Sequence, residues 1–278
     1  MAFTGVSLSS TSADASAAPQ TLNVLRHTTA VLPMRGRLAI MLMTIACAAA
    51  SACWGSTAAR TGEPQEITRL RTAAERGDVT AQHDLGVRYF GGDGVRQDFS
   101  EAAGWIREAA DSGLASAQSD LGELYKLGLG VRTDFTQSFA WFEKAAVHGD
   151  PVAQYNLGLA YRDGQGVRWN ERDAAAWFRK AAEQGDRDAQ YALANAYLTG
   201  QGVPEDHRSA VDWFRKSAEQ GLAVSQYMLG LQYAKGEGVA RDTDAALHWL
   251  NLASANSTRQ RHQKFAAAHD AIAKDAAK

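Results

Sequence analysis

Cysteine and proline are scarce in this sequence, and each scarcity argues against a class of architecture. The chain of 278 residues has two cysteines, Cys47 and Cys53, and both lie in its first part. Residues 54–278 therefore contain no disulfide bond and no thiolate metal site. Five prolines stand against 25 glycines, a ratio that favours helices separated by glycine turns over a proline-rich linker protein.

An excess of charge is also absent. The formal net charge is −2 at pH 7. A balance this close to neutral gives no reason to expect a general affinity for nucleic acid or for anionic lipid.

Catalytic and metal-binding motifs are missing as well. The seven histidines are scattered, and none belongs to an H-E-x-x-H motif or to a helical pair four residues apart. No P-loop, G-x-S-x-G or S-x-x-K motif occurs in the context that it needs. The nearest approach to an acid–base pair is His83 with Asp84, but adjacent residues on a helix point apart. The sequence therefore predicts no catalytic, cofactor-binding or metal-binding residue, and a protein that is not an enzyme.

The first part of the chain predicts export. Residues 1–33 lack any period, so we expect disorder there or an extension upstream of the true start. In residues 34–53, two arginines precede an apolar run of roughly 13 residues, short for a membrane span but typical of a signal peptide. Small residues then lead to Cys53, and together they resemble a lipoprotein cleavage site. We expect a periplasmic protein or an outer-membrane lipoprotein; the alternatives are a secreted protein cut after Ala52 and an uncleaved anchor.

The rest of the chain has one period. A Leu-Gly pair at Leu85 recurs in steps of 36 residues up to Leu229, with alanine replacing the glycine once. A tyrosine, a tryptophan and a Gly-x-Gly-Val unit recur at the same step without insertion or deletion. A half-copy begins near Glu66. The five full copies are expected near residues 79–114, 115–150, 151–186, 187–222 and 223–257.

Each copy predicts two helices. In the third copy, Asp150 is expected to cap a helix that starts at Pro151 and ends before Gly164. Asn170 is expected to cap a second helix that ends before Gly185. The recurring apolar residues form one stripe along each helix. Because one hairpin cannot bury both stripes, the copies are expected to stack on one another.

These recurring residues resemble a known repeat. The pattern A-x-x-x-L-G-x-x-Y-x-x-G-x-G-V-x-x-D-x-x-x-A-x-x-W-x-x-x-A-A-x-x-G is similar to the Sel1-like repeat, a relative of the tetratricopeptide repeat, over residues 66–257. The resemblance implies an all-α, right-handed superhelical solenoid whose first helices line the concave side. It also implies an adaptor or scaffold in protein assemblies, often at bacterial envelopes. Some cysteine-rich secreted members have been described as penicillin-binding or β-lactamase proteins, but this chain lacks their paired cysteines within repeats.

The last residues, 258–278, break the period. Their apolar positions predict a capping helix through Phe265 and Ile272 that covers the last apolar edge of the array. A partner-binding tail is the alternative.

The arc of each first helix that points away from its own repeat is the candidate binding surface. Its residues are acidic in the first copies and apolar in the last, so we expect an extended peptide that is basic at one end and apolar at the other. The alternative is a solvated surface without a binding role, whose residues differ freely from one repeat to the next. The predicted partner-binding residues on this arc are Asp84, Asp120, Glu123, Asn156, Leu159, Asp163, Asn195, Met228 and Leu231.

Two further columns run beside this arc. Tyr155, Tyr191 and Tyr227 each follow a glutamine that recurs in all five copies. The tyrosines are candidates for an aromatic binding strip, and packing between repeats is the alternative. The glutamines are expected to bond the backbone of a neighbouring turn.

Three functions remain open. We favour a scaffold of the bacterial envelope or periplasm that recruits proteins, or an extended peptide, through its concave face. The second is a protein that binds cell-wall glycan or peptide on the tyrosines. The third, a β-lactamase-like hydrolase, is disfavoured because the paired cysteines are missing. We expect no cofactor and no nucleic acid, and contact with a membrane only through a lipid or signal anchor at the beginning of the chain.

Overall fold

Helices and short turns make up the part of the chain that the structure describes. The computed structural model describes residues 64–276, apart from the side chains of residues 259 and 260. Within that range there are twelve helices and no strand. Residues 1–33, the predicted signal peptide at residues 34–53 and the candidate lipidation site Cys53 lie outside the described residues.

Ten of the helices form five hairpins, each with an even-numbered first helix and an odd-numbered second helix. Helix α1 precedes the hairpins, α12 follows them, and every helix packs against the next along the chain. The predicted all-α solenoid is thus confirmed. The bounds are α1 Gln65–Glu75, α2 Val79–Gly91, α3 Phe99–Asp111, α4 Ala115–Leu127, α5 Phe135–Val147, α6 Pro151–Asp163, α7 Glu171–Glu183, α8 Arg187–Thr199, α9 His207–Glu219, α10 Ala223–Lys235, α11 Thr243–Ala255 and α12 Arg259–Ala276.

The helix ends follow the residues that the sequence analysis identified. Asp150 accepts the backbone N–H of Ala153 at 2.7 Å, and Pro151 occupies the first turn of α6, where its missing N–H costs nothing. Gly164 ends α6 in the left-handed conformation, with φ 68°. All five second helices begin after a side chain that accepts a backbone N–H of the first turn, and these capping residues are Asp98, Asp134, Asn170, Asp206 and Asp242.

The second glycine of each Gly-x-Gly unit allows a close approach between repeats. Gly166 has φ 73°, and a Cβ atom there would lie 2.0 Å from the backbone oxygen of Phe135. The loop of the third repeat therefore sits directly on the start of α5. Equivalent backbone contacts are made by Gly130, Gly202 and Gly238.

The recurring apolar residues fill the space between helices. Leu157 is fully buried in a cluster with Phe142 and Ala145 of the preceding second helix, and Trp177 packs against that cluster from the following one. The ammonium of Lys180 lies 3.8 Å from the centre of the Trp177 ring and covers its outer side. Each tryptophan therefore joins its own hairpin to the one before, as the stacking argument predicts.

The glutamine column has a structural role. Gln154 Nε2 donates to the carbonyl oxygen of Ala146, eight residues back, at 3.3 Å. This bond fastens each first helix to the end of the preceding second helix, as predicted. The same bond is made by Gln82, Gln118, Gln190 and Gln226.

Helix α12 corrects the expectation that the period is lost after Ser257. His262 lies at the next position of the glutamine column, with Nδ1 3.0 Å from the carbonyl oxygen of Ser254, again eight residues back. Phe265 takes the next position of the leucine column and is 3% exposed. The last hairpin presents a carbonyl oxygen, that of Ser254, and an apolar groove at the same places as the other hairpins. A helix of different sequence can therefore dock there in the same register. Helix α12 is therefore a sixth first helix that caps the array.

Candidate functional site

The candidate site is the first-helix face, which we define as the predicted arc of α2, α4, α6, α8 and α10 together with the adjoining tyrosines. Side chains on this face link one repeat to the next. His83 of α2 lies 2.8 Å from the Asp120 carboxylate of α4, and both are buried. Lys126 of α4 donates to the Asn156 side-chain oxygen of α6 at 3.0 Å. Successive first helices thus contact one another directly.

The middle of the first-helix face is closed. In the second and third repeats the centre of the arc is buried, partly by contacts with the neighbouring first helix, as between His83 and Asp120, and partly by the second helix of the same repeat, as between Tyr155 and Phe178. A partner can reach these side chains only if the repeats separate. The predicted site residues that are between 3% and 6% exposed are Asp120, Glu123, Tyr155, Asn156 and Leu159.

The rest of the predicted site is accessible. Asp163 is exposed and accepts two hydrogen bonds from the Arg162 guanidinium, at 2.7 and 2.9 Å. Six other predicted residues are half-buried, and five of these lie in the fourth and fifth repeats. They are Asp84 in the first repeat and Tyr191, Asn195, Tyr227, Met228 and Leu231 in the last two.

The pairing of His83 with Asp120 was missed by the sequence analysis. The acidic residue next to His83 in sequence is Asp84, whereas its partner in the structure, Asp120, lies in the next repeat, 37 residues further along the chain. Residues 36 positions apart occupy equivalent places in successive repeats, and Asp120 lies one residue beyond the place equivalent to His83. The pairing could therefore have been predicted from the repeat period. The pair is a buried connection between repeats: the His83 side chain is 3% exposed and the Asp120 side chain is 7% exposed.

A half-buried cation, Lys126, lies among the acidic residues of the second and third repeats. Burial lowers the pKa of Lys126 below its usual value of 10.5, while the carboxylates of Glu123 and Asp163 act in the opposite direction and Arg162 adds to the lowering. The acidic residues of the middle repeats therefore have cationic neighbours within the protein. The expectation that they face a basic segment of a partner is not supported by this arrangement.

The tyrosine column packs against phenylalanines. The ring centres of Tyr155 and Phe178 are 5.8 Å apart, and those of Tyr191 and Phe214 are 5.9 Å apart. Tyr227 stacks on Phe265 of α12 at 4.6 Å, and an ammonium lies 5.5 Å from its ring centre. Since the rings contact other rings of the protein, packing accounts for the recurrence of tyrosine at this position. Tyr191 and Tyr227 nevertheless keep part of their surface exposed.

The cap of α6 carries an electrostatic cost. Burial raises the pKa of Asp150 above its usual 3.8, more than the hydrogen bonds from Ala153 and Ser119 lower it, and the Asp120 charge adds to the rise. Between 3.8 and the raised value the folded state binds more protons than the unfolded state. Stability therefore falls as pH rises through that window, and the ionised carboxylate disfavours folding at neutral pH.

Replacing Asp150 with asparagine is expected to stabilise the protein at neutral pH, because the amide oxygen still caps α6 without a charge. In urea unfolding, we expect the Asp150→Asn midpoint to exceed that of the wild type at about pH 7 but not at about pH 3, where Asp150 is protonated in both states. Asp206→Asn is the matched control with the opposite sign, since hydrogen bonds from Ser209 lower the pKa of Asp206. A lower midpoint for Asp150→Asn at neutral pH contradicts this account.

The described part of the chain offers neither a metal site nor a membrane span. Between residues 64 and 276, no group of three or more His, Cys, Asp or Glu side chains is placed to hold a metal ion. No helix in that range combines the length and apolar character that a membrane span requires.

Comparison with known proteins agrees with the repeat geometry. A family model described as Sel1 repeat matches five consecutive segments, residues 79–114, 115–150, 151–186, 187–222 and 223–257. No curated protein matches the chain at a significant level.

Two of the solved structures that resemble this one show the same repeat. A protective antigen present in uropathogenic Escherichia coli strains, which displays an SLR fold, is 39% identical with a TM-score of 0.66, over 68% of this chain and 40% of that chain. A Sel1 repeat protein from Oxalobacter formigenes is 34% identical with a TM-score of 0.65, over 71% of this chain and 57% of that chain. This chain thus matches about half the length of either protein. Because the family model matches well over half of its residues, the chain belongs to the Sel1 repeat family.

Proposed function

We propose that this protein is a non-catalytic scaffold of the bacterial envelope that binds a protein partner through the first-helix face of its fourth and fifth repeats. Sel1 repeat proteins generally mediate interactions between proteins, and their solenoids are typically non-catalytic. For this chain we propose where the contact with the partner lies and which side chains make it.

The observation that carries the proposal is an accessible apolar strip at the end of the first-helix face. We define the apolar strip as Tyr191, Tyr227, Met228 and Leu231, all of them half-buried. Aromatic residues and methionine are enriched where protein interfaces bury their centres. The equivalent positions of the second and third repeats are buried, so the strip is accessible apolar surface that those repeats lack. A partner that presents an apolar helix face or an extended apolar segment fits it best.

Substitution within the apolar strip is expected to remove the partner. A Met228→Asp, Leu231→Asp double variant places two charges where apolar contact is proposed, and we expect at least about a tenfold loss of partner recovered by cross-linking in the protein's own cells. Mass spectrometry identifies the cross-linked protein. Leu127→Asp is the control, because Leu127 is an exposed leucine on α4 outside the strip.

The outcome is decisive when the helix content of all variants matches that of the wild type by circular dichroism. Partner recovery that is unchanged in the double variant, or lost equally in Leu127→Asp, places the contact elsewhere on the molecule. Binding of cell-wall fragments that survives the double variant but is lost in Tyr191→Ala favours a glycan-binding function instead.

Export is part of the proposal and rests on the sequence. The apolar run within residues 34–53 and the small residues before Cys53 favour a signal peptide and a lipid anchor. Fractionation of cells that express Cys53→Ser tests both features. If the protein is a lipoprotein, the wild type partitions with membranes and the variant is found in the periplasm or the medium. A wild type that remains in the cytoplasm contradicts export.

A further inference from the structure

A second surface lies at the loops that join the first and second helices of each repeat. These loops, residues 92–98, 128–134, 164–170, 200–206 and 236–242, follow one another along one edge of the array, which we call the loop edge. Arg96, Arg132 and Arg168 hold the same position in its first three loops, and all three are exposed. Proline and alanine replace them in the last two loops. The arginine column therefore covers only part of the edge.

The three arginines are free to bind. Within residues 64–276, none of their side chains makes a hydrogen bond or an ion pair. The acidic residues two positions after Arg96 and Arg132 are already engaged, because Asp98 and Asp134 each accept two backbone N–H groups at the start of a helix. Exposed positive charge without an internal partner is available to a ligand.

Beside the second loop, two arginines lie close together. An open hollow of about 560 Å³ is lined by Arg132 together with Arg107, whose guanidinium donates to the Tyr125 hydroxyl at 2.8 Å. The acidic residue in the lining is Asp134, which caps α5. Two guanidinium groups around one hollow suit a carboxylate, which arginine binds through paired hydrogen bonds.

The third loop adds an apolar anchor beside the last arginine. The Trp169 side chain is 58% exposed. It lines an open hollow of about 520 Å³ with Val203 and Pro204 of the next loop, and the charges of Glu171 and Arg172 oppose each other there. A large exposed tryptophan next to apolar side chains is typical of a residue that anchors a binding partner.

The spacing of the arginine column identifies the shape of the ligand. Packed helices lie about 8–10 Å apart, so equivalent residues of successive repeats recur at about that distance. A peptide in the extended polyproline II conformation has three residues per turn and advances about 3.1 Å per residue, so every third side chain points the same way, about 9 Å further along, and meets the next repeat. Acidic side chains at every third position therefore match the three arginines in register.

We propose that the loop edge binds an extended protein segment with acidic residues at three successive third positions and a large apolar residue three positions beyond. The carboxylates pair with Arg96, Arg132 and Arg168, and the apolar side chain enters the hollow beside Trp169. This surface is separate from the first-helix face, and its occupant differs from the apolar partner proposed there.

The test is binding of two labelled synthetic peptides to the purified chain by fluorescence anisotropy. One carries aspartate at three successive third positions followed by leucine three positions later, and the other has the same composition with the aspartates adjacent. We expect the spaced peptide to bind at least about fivefold tighter. We also expect its affinity to fall as salt rises from about 50 mM to about 500 mM.

Substitutions connect the binding to the column. Arg132→Glu is expected to weaken the spaced peptide about tenfold, because a like charge then faces its central carboxylate. Arg76→Glu is the matched control: Arg76 is also exposed, it makes no ion pair among the described residues, and it lies in a turn at the opposite edge. The control is expected to change the affinity less than about twofold. Trp169→Ala is expected to weaken the peptide that ends in leucine but not one that ends in glycine.

Three results overturn the proposal. These are equal affinity for both peptides, an affinity that Arg132→Glu leaves unchanged, and binding to phosphatidylglycerol vesicles through the same arginines without any peptide binding. The Met228→Asp, Leu231→Asp variant separates this test from the proposed function, because it is expected to lose the cellular partner while binding the spaced peptide normally. Thermal unfolding of each variant shows whether the fold is retained.

Discussion

Replacing Gly166 with alanine is expected to lower the free energy of unfolding by about 2–4 kcal/mol. Two costs combine. The left-handed backbone at φ 73° is unfavourable for any residue with a Cβ atom, by about 1–2 kcal/mol. The new methyl group would also lie 2.0 Å from the backbone oxygen of Phe135, so the third loop has to move away from the start of α5. Urea unfolding followed by circular dichroism measures the sum.

Gly185→Ala separates the two costs. Gly185 also has a positive φ, 90°, but a Cβ atom there would meet nothing within 4 Å. It is therefore expected to lose only the backbone contribution, about 1–2 kcal/mol. Equal losses in the two variants would mean that the contact between the loop and α5 does not contribute to stability, and that the Gly-x-Gly unit serves only to end the helix.

Phe214→Ala is expected to cost about 3–5 kcal/mol of unfolding free energy. The Phe214 side chain is fully buried in the core of the fourth and fifth repeats, where Leu229 and Ala194 belong to the same cluster. Its removal leaves a cavity that close-packed helices fill only partly. Because each repeat of a solenoid contacts only its neighbours, the loss is expected to uncouple the last repeats before the first ones.

Phe135→Ala is the matched control for this prediction. The Phe135 side chain is 41% exposed at the start of α5. The same substitution there is expected to change the unfolding free energy by only about 1–2 kcal/mol, since much of the ring is already in contact with water and its removal leaves no closed cavity. Hydrogen exchange, measured repeat by repeat, shows where Phe214→Ala opens the array. Uniform loss of protection in all repeats contradicts the local effect.

Features that recur within every repeat could be predicted from the sequence. Asp150, Pro151 and Gly164 mark the ends of α6 because capping depends on residues close together in the chain. The buried role of Leu157 follows from its place on the apolar stripe. The glutamine column could be assigned to the backbone because the same residue stands at the same place in every copy.

The candidate site was less predictable because it depends on how closely successive first helices approach. A helical projection places Glu123 and Leu159 on the arc that faces away from their own repeats, yet both are buried, and Leu159 packs in one cluster with Phe178 of its own repeat and Leu193 of the next. The pairing of His83 with Asp120 arises from the same approach. The register of α12 was also missed, because this helix has histidine and phenylalanine, His262 and Phe265, where the other first helices have glutamine and leucine.

The sequence by itself determined the number of repeats, the two helices in each and the residues that end and join them, because caps, glycine turns and apolar stripes act over a few neighbouring residues. Only the tertiary structure decided which part of the first-helix face is accessible and which arginines of the loop edge have no internal partner. Those properties depend on the distance and rotation between whole hairpins, and that geometry results from the combined packing of many side chains. The proposed binding surfaces therefore lie where this packing leaves apolar area or charge exposed.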